Sequence, residues 1–252
     1  MSIQSVERAA AILRCLATGS KRIGVSELSE RLELAKGTVH GLLRTLQKEG
    51  FVEQDPESGK YQLGHALLEL GTIYLDVSEL RNRSLAWADL LATKSRESVR
   101  VAVLRGSSAL VVHHAFRPDN SLQILEVGSN LPLHATALGK VLLTFHRREL
   151  TILQFPKLTK HTITSLESLE PELQTIQAQG WSVEREESVL SEAGLAAPIF
   201  DHRGEVVGAI GIIGSITTIF EENTPRRGLI NLVCDAARSI TRELGGTWSA
   251  SG

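Results

Sequence analysis

Polar and basic side chains with the chemistry of nucleic-acid contacts recur within one short stretch near the start of the chain. Lys36, Thr38, His40 and Arg44 are spaced to lie on the outward face of a helix, around its first turns, with Gly37 among them. An arginine or lysine bonds guanine O6 and N7 in the DNA major groove, and a threonine contacts a thymine methyl group or a phosphate. The pattern favours a helix that contacts DNA, and an ordinary pair of packed helices is the alternative.

Two short helical patterns must position these side chains. Each has leucines on one face, and they are Leu28 and Leu32 in the first helix and Leu42, Leu43 and Leu46 in the second. Ser26 stands where an N-cap is expected, and residues 33–35 form the turn, with Leu34 as its apolar plug. Two helices joined by a tight turn are typical of a helix-turn-helix, whose second helix enters the major groove.

The flanking segments extend this motif to a winged helix over residues 1–64. A helix of about four turns is predicted over 3–17 from its apolar spacing. Behind the second helix, alternating residues on both sides of the turn-forming segment 55–59 predict a β-hairpin. Lys60 in this hairpin is placed to contact a backbone phosphate, although a solvated lysine on an edge strand fits the pattern equally well.

The rest of the chain predicts a second domain of a different kind. Two helical patterns within 65–95 lead away from the wing, and a hinge is expected at 76–78. From 96 to 245, two β-hairpins and a strand over 122–127 alternate with helices, and 246–252 is expected to be a disordered tail. Because hairpins favour antiparallel pairing, the prediction is an α+β fold with helices on a mostly antiparallel sheet.

Composition limits the class of protein. The chain has 252 residues, of which 42% are hydrophobic and 22% charged, as expected for a soluble protein of two ordinary domains. No apolar run of membrane-spanning length and no signal-peptide cleavage site occur, so a cytoplasmic protein without membrane contact is expected. The net charge of −2 gives no global basic footprint, and the basic residues cluster only locally, within 1–22 and 35–48.

Motifs of catalysis are absent from the sequence. There is no GxSxG elbow, P-loop or HExxH pattern, and Gly208, Gly211 and Gly214 have the wrong spacing for a dinucleotide fingerprint. No enzyme activity, cofactor or metal site is therefore predicted. Thr136 stands with His134 at a loop-to-helix junction, where it is expected either to contact a polar ligand or simply to cap the helix.

Four long segments make the chain resemble the IclR family of bacterial transcriptional regulators, and within it most closely the glycerol-operon regulators. They are SIQSVERAAAILRCL, VSELSERLELAKGTVHGLLRTLQKEGFVEQDPESGKYQLG, LPLHATALGKVLL and GLAAPIFDHRGEVVGAIGI. The resemblance implies a winged helix, a dimerising linker helix and a GAF-like effector-binding domain. It also implies a homodimer or dimer of dimers that represses a catabolic operon by binding double-stranded operator DNA, and that responds to a small metabolite.

Carried over by position, the resemblance implies an effector pocket in the C-terminal domain. Its residues, besides Thr136, would be Leu131, Ala137, Leu138, Glu184, Gly194, Gly211 and Ile213. Carboxylate-binding members carry hydroxyl side chains at the last two positions, so a small α-keto acid is a doubtful effector here. Gly41 is a second departure, because many relatives carry a long basic side chain there. An activator, an enzyme in 96–245, and a ligand sensor whose winged helix binds protein are the alternatives.

Overall fold

The computed structural model describes residues 3–18, 22–76, 79–147 and 154–248, and for 72–76 only the backbone. It divides into two compact units, Met1–Val77 and Ser78–Gly252. The sequence grouped 65–95 as linker helices, whereas in the structure the first of these helices belongs to the first unit and the second helix to the second unit. The predicted hinge over 76–78 falls largely on residues outside the described ranges.

The first unit is a winged helix. Its elements in order are α1 (Gln4–Ala17), α2 (Val25–Arg31), α3 (Lys36–Lys48), β1 (Val52–Gln54), β2 (Tyr61–Leu63) and α4 (Ala66–Asp76). The hairpin β1–β2 is antiparallel, with Val52 opposite Leu63. Apolar residues of α1, α2, α3 and the hairpin share one core, in which Leu28, Val39 and Leu43 are fully buried. The helical spacing of these residues in the sequence therefore corresponds to their packing.

The predicted N-cap at Ser26 is wrong. Helix α2 already begins at Val25, its N-cap is Gly24, and Ser26 is an exposed residue inside the first turn. The Leu28 N–H donates to the Gly24 carbonyl at 3.0 Å, which brings Leu28 into the core one turn after the helix begins. Burial of that leucine decides where the helix starts, because it contributes more free energy than a serine cap.

The second unit is built on one six-stranded sheet. Its helices are α5 (Glu79–Ser95), α6 (Ala137–Phe145), α7 (Leu166–Gln179), α8 (Ile216–Ile219) and α9 (Arg227–Glu243). Its strands are β3 (Ser98–Arg105), β4 (Ser108–Ala115), β5 (Asn130–Pro132), β6 (Ser182–Arg185), β7 (Glu192–Phe200) and β8 (Val206–Ser215), followed by the short pair β9 (Phe220–Glu221) and β10 (Thr224–Pro225). The sheet order is β5-β4-β3-β8-β7-β6, and every neighbouring pair is antiparallel, as predicted.

Helices cover both faces of this sheet. The helices α6 and α7 share a hydrophobic cluster with Ala102, Ala196 and Ala209 of the sheet. The helices α5 and α9 pack on each other and on β3, β7 and β8. As a result, β7 is buried along its whole length except for Glu192 at its start. Polar side chains on the sheet can therefore reach solvent only near the ends of its strands.

The strand predicted over 122–127 is wrong, because this segment is an irregular loop. The Arg117 N–H donates to Gln123 Oε1 at 2.8 Å, and Gln123 Nε2 donates to the Arg117 carbonyl oxygen at 2.9 Å. These two bonds close the start of the loop on itself. The β4 edge that a new strand would use is instead paired with β5, where Ala109 lies opposite Leu131.

The disordered tail predicted over 246–252 is wrong for 246–248. The Gly246 N–H donates to the Thr241 carbonyl oxygen at 2.8 Å, and the Trp248 ring lies edge-on to Phe200 with the centroids 5.5 Å apart. A tryptophan buries enough apolar surface on such a contact to order the chain leading to it. Residues 249–252 lie outside the described part of the chain.

A buried lysine joins α6, α7 and the loop after β6. The Lys140 ammonium group is fully buried and donates to Glu187 Oε1 at 2.6 Å and to Glu172 Oε1 at 2.8 Å. Burial raises the pKa of Glu187, and the Lys140 charge opposes that rise. The carboxylates compensate the burial of the ammonium group, so all three side chains hold their elements in place only as a set.

We expect Lys140→Met to destabilise the second unit by about 3–5 kcal/mol at neutral pH, because it leaves Glu187 buried without its cation. The loss should shrink in mild acid, where protonation of Glu187 removes the uncompensated charge. Urea denaturation followed by tryptophan fluorescence measures this unit selectively, because Trp87, Trp181 and Trp248 all lie in it. A loss that does not change with pH would contradict this account of the cluster.

Candidate nucleic-acid interface and effector cavity

The exposed side of α3 is the candidate nucleic-acid interface. Val39, Leu43 and Leu46 bury the opposite side of this helix in the core of the first unit. Every residue that the sequence assigned to the outward side is accessible: Lys36, Gly37, His40 and Arg44 are exposed and Thr38 is half-buried. The helix therefore presents cationic and hydrogen-bonding groups to an incoming partner without disturbing its own packing.

Two predicted residues lie outside α3. Ser26 is exposed in the first turn of α2, and Lys60 is exposed immediately before β2 in the wing hairpin. The wing is held by an ion pair between Arg22 and Asp55, with 2.8 Å between the guanidinium nitrogen and the carboxylate oxygen. Lys60 is thereby placed on an ordered turn, and its contact with phosphate stays a prediction.

Two glycines leave the exposed side of α3 without side chains at their positions. A Cβ added to Gly37 or to Gly41 would meet nothing within 4 Å, so packing within the unit does not require glycine at either place. Each glycine weakens an exposed helix relative to alanine. The missing side chains leave Arg44 as the longest cationic side chain in the middle of the helix.

A cavity of about 290 Å³ opens at the ends of strands β3, β4, β7 and β8, under the loop 116–129. The strands contribute Ser98, Arg100 and His114, and the loop contributes Gln123, Ile124 and Glu126. Residues at the start of β7 and the end of β8 complete the wall, and they are Ser191, Glu192, Ile213, Gly214 and Ser215, with Arg117 beside them. Most of the wall is polar, which suits a hydrogen-bonding ligand.

An ordered polar network lies at the floor of this cavity. Arg100 forms an ion pair with Glu126 of the loop. The Glu126 N–H donates to His114 Nδ1 at 3.2 Å, and His114 Nε2 lies 2.7 Å from Ser98 Oγ. Burial and the nearby Arg100 charge lower the pKa of His114, so the ring is neutral and its Nε2–H donates to the serine.

Some of the predicted effector residues lie on the sheet near the cavity and others at the start of α6, and most of them do not line the cavity. Ile213 does, and it stands in one row across the sheet with Gly194 and Glu184. Gly211 is paired with Arg100. A Cβ on Gly211 would lie 2.5 Å from the Leu195 carbonyl oxygen, so the backbone already fills the place of a hydroxyl side chain there.

The remaining predicted residues belong to the packing around α6. Thr136 caps this helix: its Oγ1 accepts from the Gly139 N–H at 3.1 Å and donates to the Pro132 carbonyl oxygen at 2.8 Å. Ala137 and Leu138 are buried at the start of α6, and Leu131 packs against the same hydrophobic cluster. Of the two roles that the sequence left open for Thr136, the structure shows the cap.

Arg100, Glu126, His114 and Ser98 were not identified as site residues from the sequence. The signal for Arg100 was present, because this arginine lies between apolar residues inside the strand SVRVAVLR and a buried charge needs a partner. Its partner Glu126 could not be found in this way, because it lies on a loop that the sequence predicted as a strand. In the part of the chain that the structure describes, no three metal-ligating side chains form a cluster.

Family comparisons identify both units. Residues 5–56 match the IclR helix-turn-helix domain, and residues 72–242 match the C-terminal domain of the bacterial transcriptional regulator IclR. The chain belongs to the IclR family. The glycerol operon regulatory protein of Streptomyces coelicolor is 49% identical to it over 247 residues, which is 97% of each chain. This IclR-family chain is thus a DNA-binding transcriptional regulator with a C-terminal effector-binding domain, as the resemblance implied.

Solved structures of the family share the fold. An IclR regulator from Alicyclobacillus acidocaldarius superposes with a TM-score of 0.83 at 25% identity, covering 98% of this chain and 100% of that one. An IclR homologue from Microbacterium hydrocarbonoxydans, solved with bound 4-hydroxybenzoate, has a TM-score of 0.81 at 22% identity and covers 95% and 98% of the two chains. In the described residues of this IclR-family chain, no helix combines the length and apolar character that crossing a bilayer requires.

Glu184 is a buried carboxyl group of the second unit whose pKa is strongly raised. Burial raises its pKa to about 8, the Glu187 N–H opposes the rise by donating to Glu184 Oε2 at 3.2 Å, and the Glu187 charge adds to it. At neutral pH the folded chain therefore holds a proton on Glu184 that the unfolded chain has released.

We expect the wild-type chain to lose stability relative to Glu184→Gln as the pH rises from about 5 to about 8, by up to about 1.4 kcal/mol per pH unit. The sign follows from the raised folded-state pKa: the contribution is complete below the unfolded-state pKa and is lost as pH rises through the folded one. Urea denaturation at a series of pH values, with tryptophan fluorescence, measures the difference. Parallel pH profiles of the two proteins would refute the shift.

Proposed function

We propose that the chain is a repressor of a glycerol-catabolic operon, whose affinity for operator DNA is changed by a small metabolite bound in the second unit. The accessible polar and basic side of α3 carries the DNA-binding part of this proposal. The name of the Streptomyces coelicolor relative, at 49% identity over 97% of both chains, supports the choice of operon. In this proposal the chain acts in the cytoplasm, catalyses no reaction and needs no cofactor or metal.

Three side chains of α3 and the N-terminus of this helix have proposed contacts with DNA. Arg44 or Lys36 bonds guanine O6 and N7, and Thr38 contacts a thymine methyl group or a phosphate. The N-cap residue of α3 is Ala35, which supplies no side-chain cap, so the first N–H groups of the helix are available to a phosphate oxygen. Ser26, Gly37, His40 and Lys60 flank these contacts. The base-specific contacts are few, so operator specificity depends strongly on Arg44.

The proposed assembly is a homodimer, or a dimer of dimers, on a near-palindromic operator. Two recognition helices enter successive major grooves, so half-sites lie about 10 bp apart or at a multiple of that spacing. Effector binding in the second unit changes the operator affinity by about 1–3 kcal/mol, and bound operator changes the effector affinity by the same amount.

Fluorescence anisotropy with a labelled fragment from upstream of the chain's own coding region tests the proposal. We expect saturable binding that weakens steeply as salt increases, because the phosphate contacts release counterions. A scrambled fragment of the same length is the control for specificity. Binding that is absent, or equal on both fragments, would reject the operator-binding role.

We expect Arg44→Ala to weaken operator binding by about 1–3 kcal/mol without changing the unfolding transition, because Arg44 is exposed and lies outside the core of the first unit. Arg203→Ala is the matched control: it removes the same charge from an exposed turn of the second unit. Both variants are measured at one salt concentration. Equal affinity of the two variants would contradict base contact by Arg44.

A further inference from the structure

A cavity of about 520 Å³ lies between α9 and the segment 246–248 that follows it. The Gly246 N–H donates to the Thr241 carbonyl oxygen at 2.8 Å, which turns the chain back beside the helix. A Cβ on Gly246 would lie 2.6 Å from the Asp201 carbonyl oxygen, so glycine is required for the chain to pass here. The turn carries the Trp248 ring against Phe200. Packing therefore fixes this wall of the cavity.

One side of α9 forms the opposite wall. Its residues recur at helical spacing, and they are Asp235, Arg238, Ser239 and Arg242. Arg238 forms an ion pair with Asp235, with 3.2 Å between nitrogen and oxygen, and its guanidinium lies 5.2 Å from the centroid of the Trp248 ring. Arg242 Nη2 donates to the Oγ of the buried Ser239 at 3.1 Å. A guanidinium group has more N–H donors than these contacts use, so both arginines can bond a further acceptor while keeping them.

The charges that face the cavity do not cancel. Among the described residues that line it, Asp235 is the one carboxylate, and it is already paired with Arg238. Arg242 meets a serine hydroxyl group instead of a carboxylate. Lys94 of α5 lines a small adjoining cavity that shares Asp235 and Ser239, so it adds a further cation nearby. An excess of positive charge on held side chains favours an anionic ligand.

Neighbouring acceptors do not compete for these arginines. The carbonyl groups of residues 240–242 accept from the N–H groups of 244–246, so the backbone itself caps the end of α9. Glu243, the next acid along the helix, accepts from Trp87 Nε1 of α5 at 2.7 Å. The N–H donors of Arg242 that its bond to the serine leaves unused are therefore available to a ligand.

Size and apolar surface indicate an organic anion and not an inorganic one. Ligand pockets in proteins have volumes of about 300–1,000 Å³. A cavity of about 520 Å³ lies in this range, and a single inorganic ion would leave most of it to water. The half-buried Trp248 ring supplies an aromatic surface, and the exposed Thr247 offers a hydroxyl group beside it. A planar ring that carries a negative charge matches both walls.

We infer that this cavity binds a small aromatic anion, a carboxylate or a phosphate monoester, whose charged group bonds Arg242 and Arg238 and whose ring packs on Trp248. The cavity is a second ligand site of the second unit, because it shares no lining residue with the effector cavity at the ends of β3, β4, β7 and β8. Binding here depends neither on operator binding nor on a ligand in the effector cavity.

Isothermal titration calorimetry on the full chain at constant ionic strength tests this inference. The probes are benzoate, phenyl phosphate, benzyl alcohol and inorganic phosphate. We expect benzoate or phenyl phosphate to bind, and the neutral alcohol and the ring-free anion to bind at least about tenfold more weakly. The two aromatic anions distinguish a carboxylate ligand from a phosphate ester. Failure of both to bind, or equal binding of benzyl alcohol, would overturn the inference.

Variants of two arginines on the same helix assign the contact. Arg242→Gln should weaken binding of the aromatic anion about tenfold or more, because a charged donor to the ligand is lost. Arg227→Gln is the matched control, since it removes the same charge from the exposed first turn of α9, and it should bind as wild type does. Unchanged binding by Arg242→Gln, or an equal loss in both variants, would contradict the assignment.

Tryptophan fluorescence locates the ligand ring independently. We expect the bound anion to change the emission of the wild-type chain, and Trp248→Phe to lose most of that change while its unfolding transition stays cooperative. Trp87 and Trp181 remain in this variant as internal controls. A fluorescence change that persists in Trp248→Phe would place the ligand elsewhere and reject the site.

Discussion

The fully buried Lys140 ammonium group is the constraint on which the second unit depends. It needs two carboxylates, and it takes them from α7 and from the loop after β6, at Glu172 and Glu187. Fixing Glu187 also fixes Glu184, whose carboxylate accepts from the Glu187 N–H at 3.2 Å. The same loop leads into Ser191 and Glu192 at the cavity wall. The buried Lys140 charge thus sets the position of Glu184, whose pKa is raised, and of one side of the candidate effector site.

The two units use polar groups in opposite ways. In the first unit the apolar core takes one side of α3, so Lys36 and Arg44 stay in water, where a nucleic acid can reach them. In the second unit helices cover both faces of the sheet, and polar side chains collect at the strand ends as paired, partly desolvated groups. Solvated cations suit contact with a large polyanion, whereas the paired charges of the second unit join a sheet strand to the loop 116–129.

The sequence predicted the helix-turn-helix, the wing and the antiparallel sheet because each depends on spacing within a few residues. It failed at places where a distant contact decides the local structure. Burial of Leu28 starts α2 before Ser26, pairing of β5 with β4 leaves 122–127 as a loop, and packing of Trp248 on Phe200 orders 246–248. In each case tertiary packing overrides a local preference of similar size.

The sequence by itself determined the family, the order of the elements and the outward residues of the recognition helix, since helical periodicity separates the buried from the exposed side. Only the tertiary structure decided the candidate effector site. Arg100 of β3 forms an ion pair with Glu126 in the loop that follows β4. Lys140 bonds Glu187, which lies 47 residues further along the chain. Pairings between distant charges follow from how strands and helices stack, and no local pattern in the chain encodes which of many carboxylates a buried cation will meet.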